Sequence, residues 1–369
     1  MTKQDFERES LFWLKKQYLR YPSMAQEDAV KFVFQAMLGV GHLLSSRTEA
    51  ADRIACEMAG LSAGPEEPLY EILSPSWVRL NLRPAVEKRI QSSVIAGMML
   101  CSGSPAQFSR KDVFDFCVKL EKAGEMPGAR TVDPERILDG AWLPSHSPEY
   151  REKHRPAYRV VSADWIPCME AVSAISAGQA DGSRLLVTVD GPCASGKTTL
   201  ARKLAEAFEA PVVHTDDFVI PHAQKTGERL AVPGGNCDAK RLAAEVAAPW
   251  KSGGPVTYRK YDCRADRLLP PEELPDSRIL ILEGSYCNLP EIRRFADVRL
   301  FVSAPLEERE KRLRRRESEQ SLKMFHDRWI PLEDRYFAAF GLPDPGCIKI
   351  ASGGAQSLGA DDDSAAQAL

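Results

Sequence analysis

The sequence predicts an α/β protein whose second half is a parallel sheet with helices on both faces, preceded by a mostly α-helical first half. Three observations predict it. Apolar β-type runs alternate with helical stretches between residues 183 and 350. A glycine-bearing loop joins the first of those strands directly to a helix. The first 165 residues show helical apolar spacing instead of strict alternation.

A length of 369 residues accommodates two domains of ordinary size. We read 1–165 as a helical N-terminal domain, 166–182 as a helix and linker, 183–350 as the α/β domain and 351–369 as a disordered tail. The small, polar run from Ser176 to Ser183 suits a linker. The tail carries Asp361, Asp362 and Asp363 and no apolar period. Ser352-Gly353-Gly354-Ala355-Gln356 has the look of a transporter ATPase signature, but it follows the last strand and is set aside.

A net charge of −3 argues against a nucleic-acid partner held by bulk electrostatics. Nine cysteines, an odd number with no C-x-x-C pair, read as free thiols in a reducing cytoplasm. The polar N-terminus is unlike a signal peptide, and no apolar run approaches the roughly 20 residues of a membrane helix. A soluble cytoplasmic protein is expected, with a homo-oligomer left open.

In the first half, Phe12, Leu14, Tyr18 and Leu19 lie near helical spacing, as do the apolar residues of Asp28–Leu44 and Arg110–Ala123. Asp164–Ala177 reads as one more helix. Gly39 and Gly41 inside an apolar helix cost about 1 kcal/mol each relative to alanine, so something should approach closely there, most simply another helix. Gln35, His42, Trp77, Arg79, Asn81 and Arg83 form a polar, aromatic-rich set with no metal-site or Ser/His/Asp spacing.

In the second half, strands are expected at 184–190, 211–214, 279–283, 298–303 and 347–350, and helices at 196–209, 238–249, 306–319 and 331–339. Phe325, Trp329, Pro331, Tyr336 and Phe337 should pack the last helical segment, and His214 and His222 read as structural.

Between the first strand and its helix lies Gly191-Pro192-Cys193-Ala194-Ser195-Gly196-Lys197-Thr198, which fits G-x-x-x-x-G-K-[ST]. Such a loop aims backbone N–H groups and the positive end of a helix dipole at one point. Gly191, Ala194, Ser195, Gly196, Lys197, Thr198 and Thr199 are therefore expected to cradle a nucleoside triphosphate. Lys197 would reach the β/γ-phosphates and the Thr198 hydroxyl would ligate Mg²⁺. The second strand ends in Asp216 and Asp217, where a carboxylate could meet an attacking hydroxyl. The third ends in Glu283-Gly284, where an acid could hold Mg²⁺. Arg312, Arg315 and Arg316 can share a helix face and close over the phosphates.

The loop, Asp216-Asp217-Phe218, Asn236-Cys237-Asp238, Tyr261-Asp262-Cys263 and Glu283-Gly284 occur in an order that resembles the uridine kinase and phosphoribulokinase-like branch of the P-loop kinases, over about 183–340. The resemblance implies an ATP- and Mg²⁺-dependent kinase acting on a small-molecule hydroxyl acceptor. In it, Asp216 would be the catalytic base and Glu283 the Mg²⁺-associated acid. Asp217, Asp238 and Tyr261 would bind the acceptor, and Arg312 and Arg316 would belong to the lid. Two departures stand out. Asp266 occupies the place of the histidine that reads a pyrimidine, and Arg312-Leu313-Arg314-Arg315-Arg316 replaces the usual R-D-x-x-x-R-G. An aspartate cannot reproduce the donor and acceptor pattern of a histidine, which argues against uridine itself. The rival reading is a regulatory ATPase switch acting through a protein partner; a guanine-reading N-K-x-D motif is missing from the sequence.

Overall fold

The computed structural model describes residues 1–39, 46–61, 67–102, 107–128, 132–179 and 182–353. The chain divides into two compact units, Met1–Ile166 and Pro167–Ala355.

The first unit is built mainly from helices, among them Lys3–Arg20, Gln26–Leu38, Arg47–Ala59, Ser92–Cys101 and Arg110–Lys122. It also holds a sheet that the helical periodicity does not announce. Strands β1 (Tyr70–Ile72), β2 (Trp77–Asn81) and β3 (Tyr158–Ser162) pair antiparallel in the order β1-β2-β3. β2 is buried along its whole length, Arg79 and Asn81 included, so the polar/apolar alternation that marks a half-buried strand carries no contrast here. The expected helix over Asp28–Leu44 stops at Leu38. Gly39 ends it at φ +58°, and a Cβ on Gly39 would lie 2.2 Å from the Trp77 ring. The close neighbour is thus an indole on β2, not a second helix. Gly41 and His42 lie outside the described residues.

The second unit has a five-stranded parallel sheet made of β4 (Leu185–Asp190), β5 (Val212–His214), β8 (Ile279–Glu283), β9 (Val298–Ser303) and β10 (Ile348–Ala351). Strands β6 (Thr257–Asp262) and β7 (Arg267–Glu273) form a separate hairpin. The sheet order is β10-β9-β4-β8-β5, so the chain starts in the centre, builds one side and then crosses to the other. Ligands in such sheets sit beyond the carboxyl ends of the strands, at the reversal beside the first strand. Both faces are covered. Leu186, Val213, Leu280 and Leu282 share one core with Leu242, Val246, Trp250 and Tyr336. The helices Lys197–Phe208 and Met169–Gly178 also pack on β4, and Leu185 lies against Gly178. The stretch read as helix and linker therefore includes a helix of this unit. Ala351, read as the first residue of a tail, ends β10; the expected disorder of 354–369 falls outside the described residues.

Among the described residues no helix is long and apolar enough to cross a membrane, and all nine cysteines are free.

Candidate active site

The loop after β4 is held in a shape that only certain residues adopt. Gly191 has φ +141°, and a Cβ there would lie 2.1 Å from the Val302 carbonyl oxygen on β9. Gly196 has φ +103° and Ala194 has φ +57°, both in the left-handed region. Gly196 is the N-cap of the helix Lys197–Phe208 and offers no side chain to its first amides. Those N–H groups remain available to an anion, as the dipole of a helix N-terminus favours.

The outer side of the loop is gripped at three successive carbonyls. Arg309 donates to Cys193 O at 2.9 Å, Arg312 donates to Ala194 O at 3.0 Å, and the Ser352 hydroxyl donates to Ser195 O. These bonds fix the loop's carbonyls, while of its amides Cys193 N donates to Glu333 and Ser195 N to Pro192 O at 3.1 Å. The two arginines read as a pair thus part company. Arg312 buttresses the loop and also reaches Ser352 Oγ at 3.1 Å, whereas Arg316, at the end of its helix, pairs with Glu317 at 2.7 Å. Ser352, assigned by sequence to the tail, is a loop contact.

Thr198 Oγ1 donates to Glu283 Oε1 at 3.0 Å. The other carboxylate oxygen of Glu283 meets His214 Nδ1 at 2.6 Å, and that bond raises the histidine pKa above its ordinary value. Glu283 comes from the end of β8 and His214 from the end of β5, neighbours in register (His214 opposite Glu283). Gly284 lets the chain leave the sheet at φ +132°, where a Cβ would strike Thr215 Oγ1 at 2.1 Å.

Asp216 follows in the short turn after β5. Its side chain is open to solvent, yet protein surrounds it closely enough that desolvation raises its pKa. Lys197 lowers it, Glu283 and Glu333 raise it, and His214 lowers it. The Asp216 carboxyl thus stands open to solvent beside the charges of Lys197, His214 and two acids. Lys197 itself is 8% exposed and donates to Pro192 O at 3.0 Å.

Asp217 and Asp238 reach the same region from paired backbone: Asp238 N donates to Phe218 O at 2.7 Å, and Val219 bridges Cys237. Asp217 keeps one buried carboxylate oxygen without a partner, and burial raises its pKa. Asp238 caps its helix through Arg241 N at 3.2 Å, while a third of its side chain stays exposed (34%). Tyr261 donates its hydroxyl to Asp266, which also accepts from His222 N at 3.0 Å. The residue that replaces the expected histidine is therefore tied to the tyrosine of the same hairpin.

Some participants carry no sequence signal. Glu333, from the helix Ile330–Phe340, is buried and accepts from Cys193 N at 2.8 Å and from Ser285 Oγ at 2.5 Å. Asp190, also buried, is bonded by Gly191 N, Asn288 and the Tyr336 hydroxyl. A lone acid in an amphipathic helix looks like any surface glutamate; only the fold shows where it lands. The π-helical turn Phe325–Trp329 precedes that helix, and Tyr336 joins its core while Trp329 stays at the surface side, half-buried.

A strand, a glycine-shaped phosphate loop, an uncapped helix and acids at the ends of the next two strands now stand together. The second unit is a parallel α/β sheet of the P-loop NTPase type.

No protein-family model matches the chain. Cytidylate kinase from Acidiphilium cryptum (strain JF-5) is 30% identical over 142 residues, which are 35% of this chain and 65% of that relative. The chain thus spans 65% of the length of the curated relative it matches. Among solved structures, a protein described as a possible uridine kinase from Bacillus stearothermophilus is 25% identical, with a TM-score of 0.33; the match covers 42% of this chain and 82% of that one. A protein described as a fructose transport system kinase from Silicibacter sp. TM1040 is 23% identical with a TM-score of 0.38, covering 47% and 92%.

Proposed function

We propose that the second unit transfers the γ-phosphoryl group of ATP to the hydroxyl group of a small molecule. The supporting observation is the convergence of Lys197, Thr198, Glu283 and Asp216 on one end of the sheet, with Lys197 acting electrostatically on Asp216. The kinase names of the relatives agree with phosphoryl transfer.

The residues fit Mg²⁺: a hydroxyl oxygen and a carboxylate oxygen 3.0 Å apart at the helix start are the hard donors this ion takes. Thr198 and Glu283 would hold it, and when bound it supplies positive charge against the phosphates. The protein residues do the rest. The loop amides and Lys197 bind and orient the triphosphate. Asp216 takes the proton of the acceptor hydroxyl as its oxygen bonds the γ-phosphorus, and the bridging oxygen leaves with the nucleoside diphosphate.

A hydroxyl acceptor suits the surroundings of Asp216 better than a phosphate acceptor. Four carboxylates, Asp216, Asp217, Glu283 and Glu333, gather there against Lys197, Lys260 and His214, and this excess of acid disfavours a second phosphate. Arg229 and Arg241, which could have offset it, are spent on backbone carbonyls of Gly235, Cys237, Asp217 and Arg259. The test is a panel of nucleosides, sugars and vitamin precursors with γ-labelled ATP, scored for phosphorylated product by mass. Label on one hydroxyl compound supports the reading. Label released only as inorganic phosphate in every reaction, or passed only to nucleoside monophosphates, contradicts it.

A further inference from the structure

The first unit contains a buried polar chain. Asp28 receives His146 Nδ1 at 2.7 Å, His146 Nε2 meets the Tyr158 hydroxyl at 2.7 Å, and Tyr158 receives Gln35 Nε2 at 3.3 Å. Gln35 Oε1 accepts two bonds from Arg79, at 3.2 and 3.0 Å, and Gln17 Oε1 accepts a third at 3.2 Å. Burial and then the Asp28 bond set His146, whose pKa falls to about 4, so the ring is neutral. Asp28 is pushed up by burial, but the His146 and Ser147 bonds outweigh this and hold it at about 2. The neutral ring therefore donates through Nδ1, and the Tyr158 hydroxyl must donate to Nε2. Every group in the chain has one orientation.

Around Lys31 the cations outnumber the acids: Arg79 and Arg151 oppose its charge and Asp28 favours it, while Glu71 acts on Arg79. Arg79 is 1% exposed and bonded only to neutral amide oxygens. Its guanidinium lies 4.5 Å from the centre of the Tyr158 ring, and Lys31 Nζ lies 5.9 Å from the same centre. Lys31, half-buried, makes no hydrogen bond or ion pair among the described residues, and neither does the side chain of Arg151, which acts on it electrostatically. Desolvation first, then Arg79, lowers the Lys31 pKa to about 8. The nearby acids are occupied. Asp28 also accepts from Ala25 N and from Ser147 N and Oγ, and Glu71 serves Gln17, Tyr21 and Arg20. A cation placed among cations in a low-dielectric setting is unfavourable until an anion joins it.

We propose that Lys31, over the Tyr158 ring it shares with the buried Arg79, forms with Arg151, the further cation that acts on it, a binding site for the oxyanion group, carboxylate or phosphate, of a small metabolite. This site belongs to the first unit and does not depend on the phosphate loop. The experiment uses the full chain carrying Lys197→Ala, so that the loop does not dominate phosphate binding. Its lysines are ¹³C-dimethylated, and the Lys31 NMR signal is assigned by its loss in Lys31→Arg. The signal should move saturably with inorganic phosphate, with malonate, or with both, at an apparent Kd below about 1 mM. Its titration midpoint should rise from about 8 when the anion is present. Arg151→Ala, folded by circular dichroism, should weaken binding by a factor of about 10, one removed charge contact. Which anion responds names the ligand class. No saturable movement with either anion, or an unchanged Kd in Arg151→Ala, overturns the proposal.

Discussion

Thr198 Oγ1 and Glu283 Oε1 lie 3.0 Å apart, joining the first turn of the helix after the phosphate loop to the end of β8. Two segments 85 residues apart in sequence thus present one hydroxyl and one carboxylate to the same point. Thr198→Ala and Glu283→Gln should each raise the Mg²⁺ concentration for half-maximal activity, by about 10-fold or more, since each removes one of few donors. Metal titrations of the two variants check this, and an unchanged Mg²⁺ dependence in both would contradict the assignment.

Asp216→Asn should lower kcat by about 10² to 10⁴ while leaving nucleotide affinity within a few-fold, because the amide keeps the shape and loses the basicity. Steady-state rates with the true acceptor, set beside nucleotide binding by calorimetry, separate the two effects. Equal losses in both would mean that Asp216 binds the nucleotide and is not the base.

His214 makes the nucleotide-free protein sensitive to pH. Its folded-state pKa is raised, first by the bond to Glu283, above an unfolded value of about 6.5. The stabilisation is therefore complete below about pH 6.5 and is lost as pH rises through the folded value. Melting temperatures measured across that window should fall for the wild type and stay flatter for His214→Gln.

Glu333→Ala should cost about 1–3 kcal/mol of stability, since it strands the buried Cys193 N–H without an acceptor and leaves the Ser285 hydroxyl only the Gly191 carbonyl at 3.2 Å. Urea unfolding reads the change directly. Glu333→Gln, which keeps one acceptor oxygen, should lose less.

What the sequence disclosed follows from where the determinants lie. The central strands β4, β8 and β9 read as apolar runs because they are buried on both faces almost throughout, and the loop read as a motif because its glycines serve one backbone path. Hairpin β6–β7 was not visible: β7 carries Pro270 and Pro271 and is exposed almost throughout, so it has neither alternation nor β-propensity. β2 was hidden for the opposite reason, having no exposed face. At the site, Lys197 opens the helix after β4, Asp216 follows β5 and Glu283 ends β8, so the three could be placed by topology. Glu333 and Ser352 could not, since both arrive through tertiary packing from segments without a local signature. Arg312 and Arg316 show the limit of helix-face reasoning. Four residues apart, they share a face, yet one meets the loop and the other a neighbouring glutamate.

The most direct measurement is a crystal structure of the full chain with Mg²⁺ and a non-hydrolysable ATP analogue. Lys197 should leave Pro192 O for the phosphates, Thr198 and Glu283 should face the metal, and the Asp216 carboxylate should stand off the terminal phosphorus by the room of one hydroxyl oxygen, itself about 3–3.5 Å from the phosphorus. A terminal phosphate directed away from Asp216, or protein atoms filling the space between them, would contradict the account.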